Sequence, residues 1–203
     1  MIDISCEDVG KQYQYKWVLQ GFSHTFLAGS NYVIAGKNGS GKSTLLKMLS
    51  AYLSPSKGSI SWHNMQHKLE KEEVYLHACL TGPYVEVPEE FTFPELIRLQ
   101  RHFKRMPSGL SPEKILKLSG LERFADTPIK NFSSGMKQRA KLALSIFPEA
   151  GLLLLDEPCT NLDANAREWY QHILHDFSKD KTVIVASNHH LDEYPGKHSL
   201  ISL

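Results

Sequence analysis

Apolar and polar residues alternate over the first part of the chain. The alternation covers residues 2–6 and 17–26, which predicts strands, and a turn then leads into the apolar run 32–35. This order predicts an antiparallel entry sheet that delivers the chain into a central strand. Further short strands are predicted at 59–62 and 74–76.

The middle of the chain has a helical pattern instead. A capping-box start at 92–95 opens one helix, and a serine-proline pair at 111–112 starts a second. A third helix is predicted at about 136–147, where apolar residues recur on one face. Because strand patterns resume only after residue 150, we expect a helical subdomain inserted at about 84–148.

A continuous apolar run at 151–155 has the pattern of a central parallel strand that is buried on both faces. A helix at about 163–177, a strand at 182–186 and a last strand at 199–203 follow. Together with the entry sheet and the inserted helices, this order predicts one α/β domain over residues 1–203 with a mostly parallel central sheet.

The composition of the 203 residues, 41% hydrophobic and 22% charged, is typical of one soluble globular domain. A net charge of +1 provides no basic stripe, so no nucleic-acid partner is expected. The apolar runs are far shorter than the ~20 residues of a membrane span, so any such span is expected on another chain. Three widely spaced cysteines favour reduced thiols in a cytosolic protein.

The segment 36–43 fits the pattern G-x-x-x-x-G-K-[ST] at every fixed position, between a predicted strand and a predicted helix. Its glycines allow backbone N–H groups to approach a polyphosphate, and the helix adds the positive end of its dipole. Lys42 is expected to reach the β- and γ-phosphates, and the Ser43 hydroxyl to bind Mg²⁺. The residues predicted to hold the nucleotide here are Gly36, Asn38, Gly39, Ser40, Gly41, Lys42, Ser43 and Thr44.

Two adjacent carboxylates, Asp156 and Glu157, follow the buried strand 151–155. They lie at the carboxyl end of a strand, where ligands bind in open α/β sheets. Asp156 is suited to Mg²⁺, directly or through water, and Glu157 is suited to polarise an attacking water. A histidine pair follows the strand 182–186 at the same edge, where a histidine can donate a hydrogen bond to a phosphate oxygen.

Two other stretches are candidates for nucleotide contacts. Ser133 and Gly135 stand at the start of the third helix, where backbone N–H groups and hydroxyls can bind an anion. Tyr13 or Tyr15, between the first two strands, could stack on a purine base. By composition, a tyrosine that covers a sheet edge explains the second stretch equally well.

These motifs, in this order, resemble the ATP-binding-cassette family over nearly the whole chain. The stretch 132–136 is similar to the family's Leu-Ser-Gly-Gly-Gln signature, with Ser134 and Met136 as departures, and 161–163 is similar to its D-loop. The resemblance implies a P-loop NTPase fold and ATP and Mg²⁺ as cofactors. It also implies a head-to-tail dimer, with itself or a homologous ATPase subunit, in which Ser133 and Gly135 of one subunit close over the nucleotide of the other.

The resemblance also implies roles for single residues. Tyr13 corresponds to the aromatic residue that stacks on the base, with Tyr15 as the alternate. Glu157, Lys42 and His189 correspond to the family's catalytic residues. His189 is assigned because it stands four residues before Glu193, as the family's switch histidine does before its acidic residue. The assignment of this role to a neighbour of His189 is left open.

One departure concerns the magnesium site. The family places a glutamine in the loop before the inserted helices, and counting back from Thr92 reaches Pro83 and Tyr84, with no glutamine nearby. The metal contact of that glutamine is then left vacant or taken by water, and Glu86 is a substitute candidate.

The resemblance therefore implies the ATP-hydrolysing subunit of an ABC transporter, which powers separate membrane-spanning permease subunits. Such a subunit is cytoplasmic and peripheral on the inner face of the cell membrane. A permease is expected to dock at about 84–103, with Tyr84, Phe91 and Phe93 as exposed candidates. The alternatives are a cassette ATPase that acts on nucleic acid or the ribosome, and a nucleotide-binding regulator with little hydrolysis. The chain length, which leaves no room for coiled coils or a second cassette, favours the transporter.

Overall fold

The computed structural model of the chain describes residues 1–188, 193–194 and 196–203. These residues form two β-sheets with helices packed against them. The strands are β1 (Asp3–Tyr13), β2 (Lys16–Phe26), β3 (Asn31–Ala35), β4 (Lys57–His63), β5 (Lys68–Leu69), β6 (Ala78–Thr81), β7 (Leu152–Asp156), β8 (Thr182–Ser187) and β9 (Ser199–Ser202). The α-helices are α1 (Lys42–Leu49), α2 (Val74–His77), α3 (Phe93–Gln100), α4 (Pro112–Leu118), α5 (Ser134–Ile146) and α6 (Ala164–Phe177).

The first sheet has the strand order β2-β1-β4-β5, and its neighbouring strands are antiparallel. It is the predicted N-terminal antiparallel sheet. Its β1–β2 hairpin turns at Gln14 and Tyr15, which have φ angles of 44° and 67°. Two consecutive left-handed residues match the twist of a two-residue hairpin, so the turn holds the strands in register.

The second sheet has the order β6-β7-β8-β3-β9, and every pairing in it is parallel. All residues of β7 and β8 are buried, as the continuous apolar pattern of β7 predicts. Because β7, β8 and β3 are neighbours with aligned directions, the segments that follow them leave the sheet at one edge.

The inserted region contains α3, α4 and α5, and each begins at a residue with a capping side chain. Thr92 and Glu95 form the predicted capping box, and the Ser111 hydroxyl accepts a hydrogen bond from the Lys114 amide at 3.2 Å. Apolar residues of these helices pack in one cluster with residues of β7 and β8. That 84–148 forms a separate subdomain stays a prediction.

The strand predicted at 74–76 is wrong, because these residues belong to α2 and the strand β6 begins only at Ala78. A capping box between Glu70 and Glu73 starts a helical turn that continues into α2. Only Val74 of the helix is buried. Periodicity cannot distinguish helix from strand in so short an apolar run.

The antiparallel sheet is tied to α1 by one buried hydrogen bond. The indole Nε1 of Trp62, on β4, donates to the Leu49 carbonyl at the C-terminal end of α1 at 2.7 Å. This bond satisfies a helix-end carbonyl that has no partner within the helix. It thereby fixes α1, which begins directly after the segment 36–41, against the first sheet.

Within the described residues, no helix has both the length and the apolar character that crossing a membrane requires.

The Trp62 bond gives a prediction about stability. Trp62→Phe keeps an apolar ring but leaves the Leu49 carbonyl without its donor, which should lower the free energy of unfolding by about 1–2 kcal/mol. Trp17→Phe is the matched control, because Trp17 is 37% exposed. Urea denaturation of both variants measures the difference, and equal stability of the two variants would contradict the anchoring role of the bond.

Candidate functional site

The candidate site is formed by the segments that follow β3, β7 and β8. In the parallel register, Ala35 pairs with Ser187 and Asp156 pairs with Ala186. The segment Gly36–Ser43, here called the phosphate loop, therefore lies beside the residues after β7 and β8. The sequence analysis predicted this meeting point from the positions of the motifs after their strands.

Three glycines shape the phosphate loop. Gly39 and Gly41 have φ angles of 83° and 100°, which favour glycine over other residues. A Cβ on Gly41 would lie 2.8 Å from the Val18 carbonyl oxygen, and one on Gly36 would lie 2.5 Å from Ser40 Oγ. A Cβ on Gly39 would meet nothing within 4 Å among the described atoms, so that side of the loop is open to a ligand.

Lys42 is 5% exposed, and its ammonium is held by oxygens of the site itself. Nζ donates to the carbonyls of Gly36 at 2.7 Å and Lys37 at 3.1 Å. It also donates to Oδ1 of Asn188, whose Nδ2 donates to Oε1 of Glu157. One chain of hydrogen bonds thus joins the phosphate-loop lysine to the predicted water-polarising carboxylate.

From the sequence, Asn188 was considered only as a neighbour to which the role of His189 could slip, and it was not given a role of its own. The available signal was its position directly after β8, at the same edge as Asp156. His189, the predicted switch histidine, and its neighbour His190 lie outside the described residues, so the role of His189 stays a prediction.

Asp156 ends β7 and is 1% exposed. Both of its carboxylate oxygens are buried and have no hydrogen-bond partner within the described part of the chain. A buried ionised carboxylate is costly unless it is paired or binds a metal. Carboxylate and hydroxyl oxygens are ligands that Mg²⁺ accepts. Asp156 and Ser43, which are both near neighbours of the Tyr84 phenol, therefore fit a bound Mg²⁺.

Glu157 has a left-handed backbone with a φ angle of 46°. Its amide donates to the Ala186 carbonyl at 2.9 Å, which fixes the residue against the end of β8. A non-glycine residue in this conformation is uncommon and often marks a functional position. This conformation turns the chain sharply after β7 and so separates the side chains of Asp156 and Glu157.

Glu193 supports the same edge of the sheet through two hydrogen bonds. Its carboxylate accepts a hydrogen bond from the Cys159 amide at 3.4 Å, and Tyr170 Oη donates to its backbone carbonyl at 2.8 Å. Burial raises the pKa of Glu193, and the Ser187 hydroxyl and the Cys159 amide partly offset the effect.

Ser133 and Gly135 lie on a different surface. Ser133 caps α5 by accepting a hydrogen bond from the Met136 amide at 3.2 Å. A Cβ on Gly135 would lie 3.1 Å from the Asn161 carbonyl oxygen. The depression that both residues line is bordered by Asn161 and Asp163 and, among the residues described, by none of the phosphate loop. The structure therefore does not bring these two residues to the phosphate loop of the same chain.

The aromatic candidates lie on the β1–β2 hairpin. Tyr13 is 46% exposed with Lys11 Nζ 5.4 Å from its ring centroid, and Tyr15, in the turn, is almost fully exposed. Because the Val18 carbonyl on β2 contacts Gly41, the hairpin borders the phosphate loop. Tyr13 and Tyr15 both remain candidates for the stacking role.

The predicted exposure of the docking aromatics is wrong for Phe93 and Tyr84. Phe93 is 0% exposed because the first turn of α3 packs into the core, whereas Phe91 is exposed as expected. Tyr84 is partly buried, and its hydroxyl oxygen is fully buried. Its ring lies under the Lys47 ammonium, with Nζ 3.6 Å from the ring centroid.

A family model described as ABC transporter matches residues 19–160. The chain is 32% identical over 187 residues to the uncharacterized ABC transporter ATP-binding protein YybJ of Bacillus subtilis, covering 90% of this chain and 84% of that protein. It is 30% identical over 191 residues to the Nod factor export ATP-binding protein I of Rhizobium johnstonii. This second match covers 92% of the chain but only 61% of the relative's length.

Among solved structures, a bacterial ABC transporter cassette described as dimeric superimposes with a TM-score of 0.82 and 24% identity, covering 98% of this chain and 94% of the other. This likeness confirms the predicted fold, a P-loop NTPase with a mostly parallel sheet and an antiparallel sheet.

The contact between Gly41 and Val18 gives a prediction. Alanine at Gly41 or Gly39 would have a strained left-handed backbone, at about 1–2 kcal/mol. Only Gly41→Ala also presses a methyl group against the Val18 carbonyl, so its loss of stability should exceed that of Gly39→Ala. Chemical denaturation compares the two variants, and a larger loss for Gly39→Ala would show that β2 does not pack on the loop.

Proposed function

The chain belongs to the ABC transporter family, and we propose that it is the subunit that binds and hydrolyses ATP to power transport through separate membrane-spanning chains. The observation that carries the proposal is the convergence of Lys42, Asp156 and Glu157 at one edge of the parallel sheet. Lys42 begins α1, and the two carboxylates stand together at the end of β7. Asn188, from a third segment, joins Lys42 to Glu157 through hydrogen bonds.

The phosphate loop binds the triphosphate through its backbone N–H groups and Lys42. The lysine exchanges the oxygens of Gly36, Lys37 and Asn188 for those of the β- and γ-phosphates. Ser43 and Asp156 would hold Mg²⁺, which would neutralise phosphate charge. Tyr13 stacks on the base from the neighbouring hairpin, with Tyr15 as the alternate.

Glu157 accepts a hydrogen bond from the attacking water and so increases its nucleophilicity. Asn188 Nδ2 donates a hydrogen bond to one oxygen of this carboxylate. Departure of Lys42 toward the phosphates frees the amide to turn, and the carboxylate becomes available to water. His189 donates a hydrogen bond to a γ-phosphate oxygen.

The separation of Ser133 and Gly135 from the phosphate loop supports a site completed by a second subunit. In a head-to-tail dimer, the N-terminal end of α5 from the partner reaches the γ-phosphate with its N–H groups. The partner is a second copy of this chain or a homologous ATPase subunit.

The membrane-spanning partner is a permease on a separate chain, which places this subunit on the cytoplasmic face of the cell membrane. The segment 84–103, with Phe91 exposed, is the proposed docking surface for the permease.

The role of Glu157 is testable by a neutral isostere. Glu157→Gln should lower the rate of phosphate release from Mg-ATP at least about 100-fold, because general-base assistance is lost. Its affinity for Mg-ATP, measured by calorimetry, should stay close to that of the wild type. Glu149→Gln is the control, because Glu149 pairs only loosely with Arg105, at 3.9 Å on the surface. Hydrolysis by Glu157→Gln at the wild-type rate would exclude Glu157 as the base.

The same variant tests the dimer. With hydrolysis blocked, Mg-ATP should convert Glu157→Gln from monomer to dimer in light scattering. Adding Ser133→Arg should prevent this, because a bulky cation at the start of α5 obstructs the partner's nucleotide. A Glu157→Gln chain that stays monomeric with Mg-ATP would exclude self-pairing and leave the homologous subunit as the partner.

A further inference from the structure

The loop after β6 brings a tyrosine to the magnesium side of the site. Thr81 ends β6, and β6 pairs with β7, so the loop runs beside Asp156. A Cβ on Gly82 would lie 2.9 Å from the Asp156 Cβ and 3.4 Å from the Tyr84 Oη. The absence of a side chain at Gly82 therefore allows the phenol and the carboxylate to approach each other.

Buried oxygens without partners meet at this point. Within the described chain, the Tyr84 Oη and both Asp156 carboxylate oxygens are buried, and none of them has a hydrogen-bond partner in good geometry. The phenol nevertheless lies close enough to the Asp156 carboxylate and the Ser43 hydroxyl to interact with both. Neighbouring buried oxygens without such partners are the arrangement that a hydrated cation would satisfy, because Mg²⁺ keeps several of its waters when it binds.

The phenol is in the right chemical form to donate a hydrogen bond there. A tyrosine phenol carries its proton at neutral pH. A neutral phenol can donate to one oxygen and accept from another, as a bridging position beside a metal-bound water requires.

The position of the ring is fixed from two sides. The Lys47 ammonium of α1 lies 3.6 Å from the ring centroid, a cation–π contact that ties the ring to the phosphate-loop helix. On the other side, Lys141 of α5 donates to the carbonyls of Gly82 and Val85, at 3.2 Å each. These contacts from α1 and α5 thus fix the position of the Tyr84 hydroxyl.

We propose that Tyr84 is a positioning residue of the magnesium site, and that its hydroxyl binds a water of the ion and orients it against Asp156. Tyr84 then fulfils the role that the family's loop glutamine would have, and it does so with a phenol. Glu86, the other candidate for that role, is exposed, and its charge acts on Lys141. The inference rests on the proposed function, because it requires that the chain binds Mg-nucleotide.

The test compares ATP binding with and without the metal. Calorimetry measures the dissociation constant of ATP in excess Mg²⁺ and in EDTA for the wild type, Tyr84→Phe and the control Tyr52→Phe. Tyr52 is 79% exposed, so its hydroxyl can be removed without touching the site. Phenylalanine fills the space of the Tyr84 ring, and thermal unfolding followed by circular dichroism verifies that the variant is folded.

For Tyr84→Phe, we expect the gain in affinity from Mg²⁺ to fall about 10-fold, which is typical when a residue supporting a metal ligand is removed. Affinity in EDTA should equal that of the wild type, and Tyr52→Phe should match the wild type in both conditions. A loss of equal size with and without Mg²⁺, or no loss, would overturn the role of Tyr84. If the wild-type chain itself binds no ATP in either condition, the proposed function fails instead.

Discussion

The parallel pairing of β7, β8 and β3 is the constraint on which the site depends. Asp156 lies beside Ala186, and Ala35 lies beside Ser187, so the strands end nearly level. Lys42 and Asn188, which are 146 positions apart in sequence, become hydrogen-bonded neighbours for this reason. A slip of one residue in the β7–β8 pairing would turn the side chains of β7 to the opposite face and remove Asp156 from the site.

The charges at this edge complement a ligand of a particular kind. Among the residues that the structure describes, the buried ammonium of Lys42 donates to neutral oxygens of the loop and of Asn188. The buried carboxylate of Asp156 has no hydrogen-bond partner in the described chain. A buried charge is stabilised by an opposite charge nearby. A single ligand that carries both a polyphosphate and a divalent cation supplies each of them with its counter-charge.

Much of this arrangement could be predicted from the sequence. The phosphate loop, Asp156 and Glu157 follow strands whose apolar pattern is continuous, so both their chemistry and their place in the sheet were readable. Asn188 was missed because an asparagine after a strand has no distinctive pattern, and its role depends on side chains from two other segments. The burial of Phe93 and Tyr84 depends on how α3 and the loop before it pack, which local pattern does not encode.

The hydrogen bonds of Lys42 have a consequence for how tightly a nucleotide is held. Because three internal acceptors hold the Lys42 ammonium, an incoming phosphate must compete with them before it gains the ammonium. The apparent affinity for the nucleotide is therefore the intrinsic affinity multiplied by the fraction of molecules in which Lys42 is released from these acceptors. Any partner that draws Asn188 away from Lys42 would tighten nucleotide binding without touching the nucleotide.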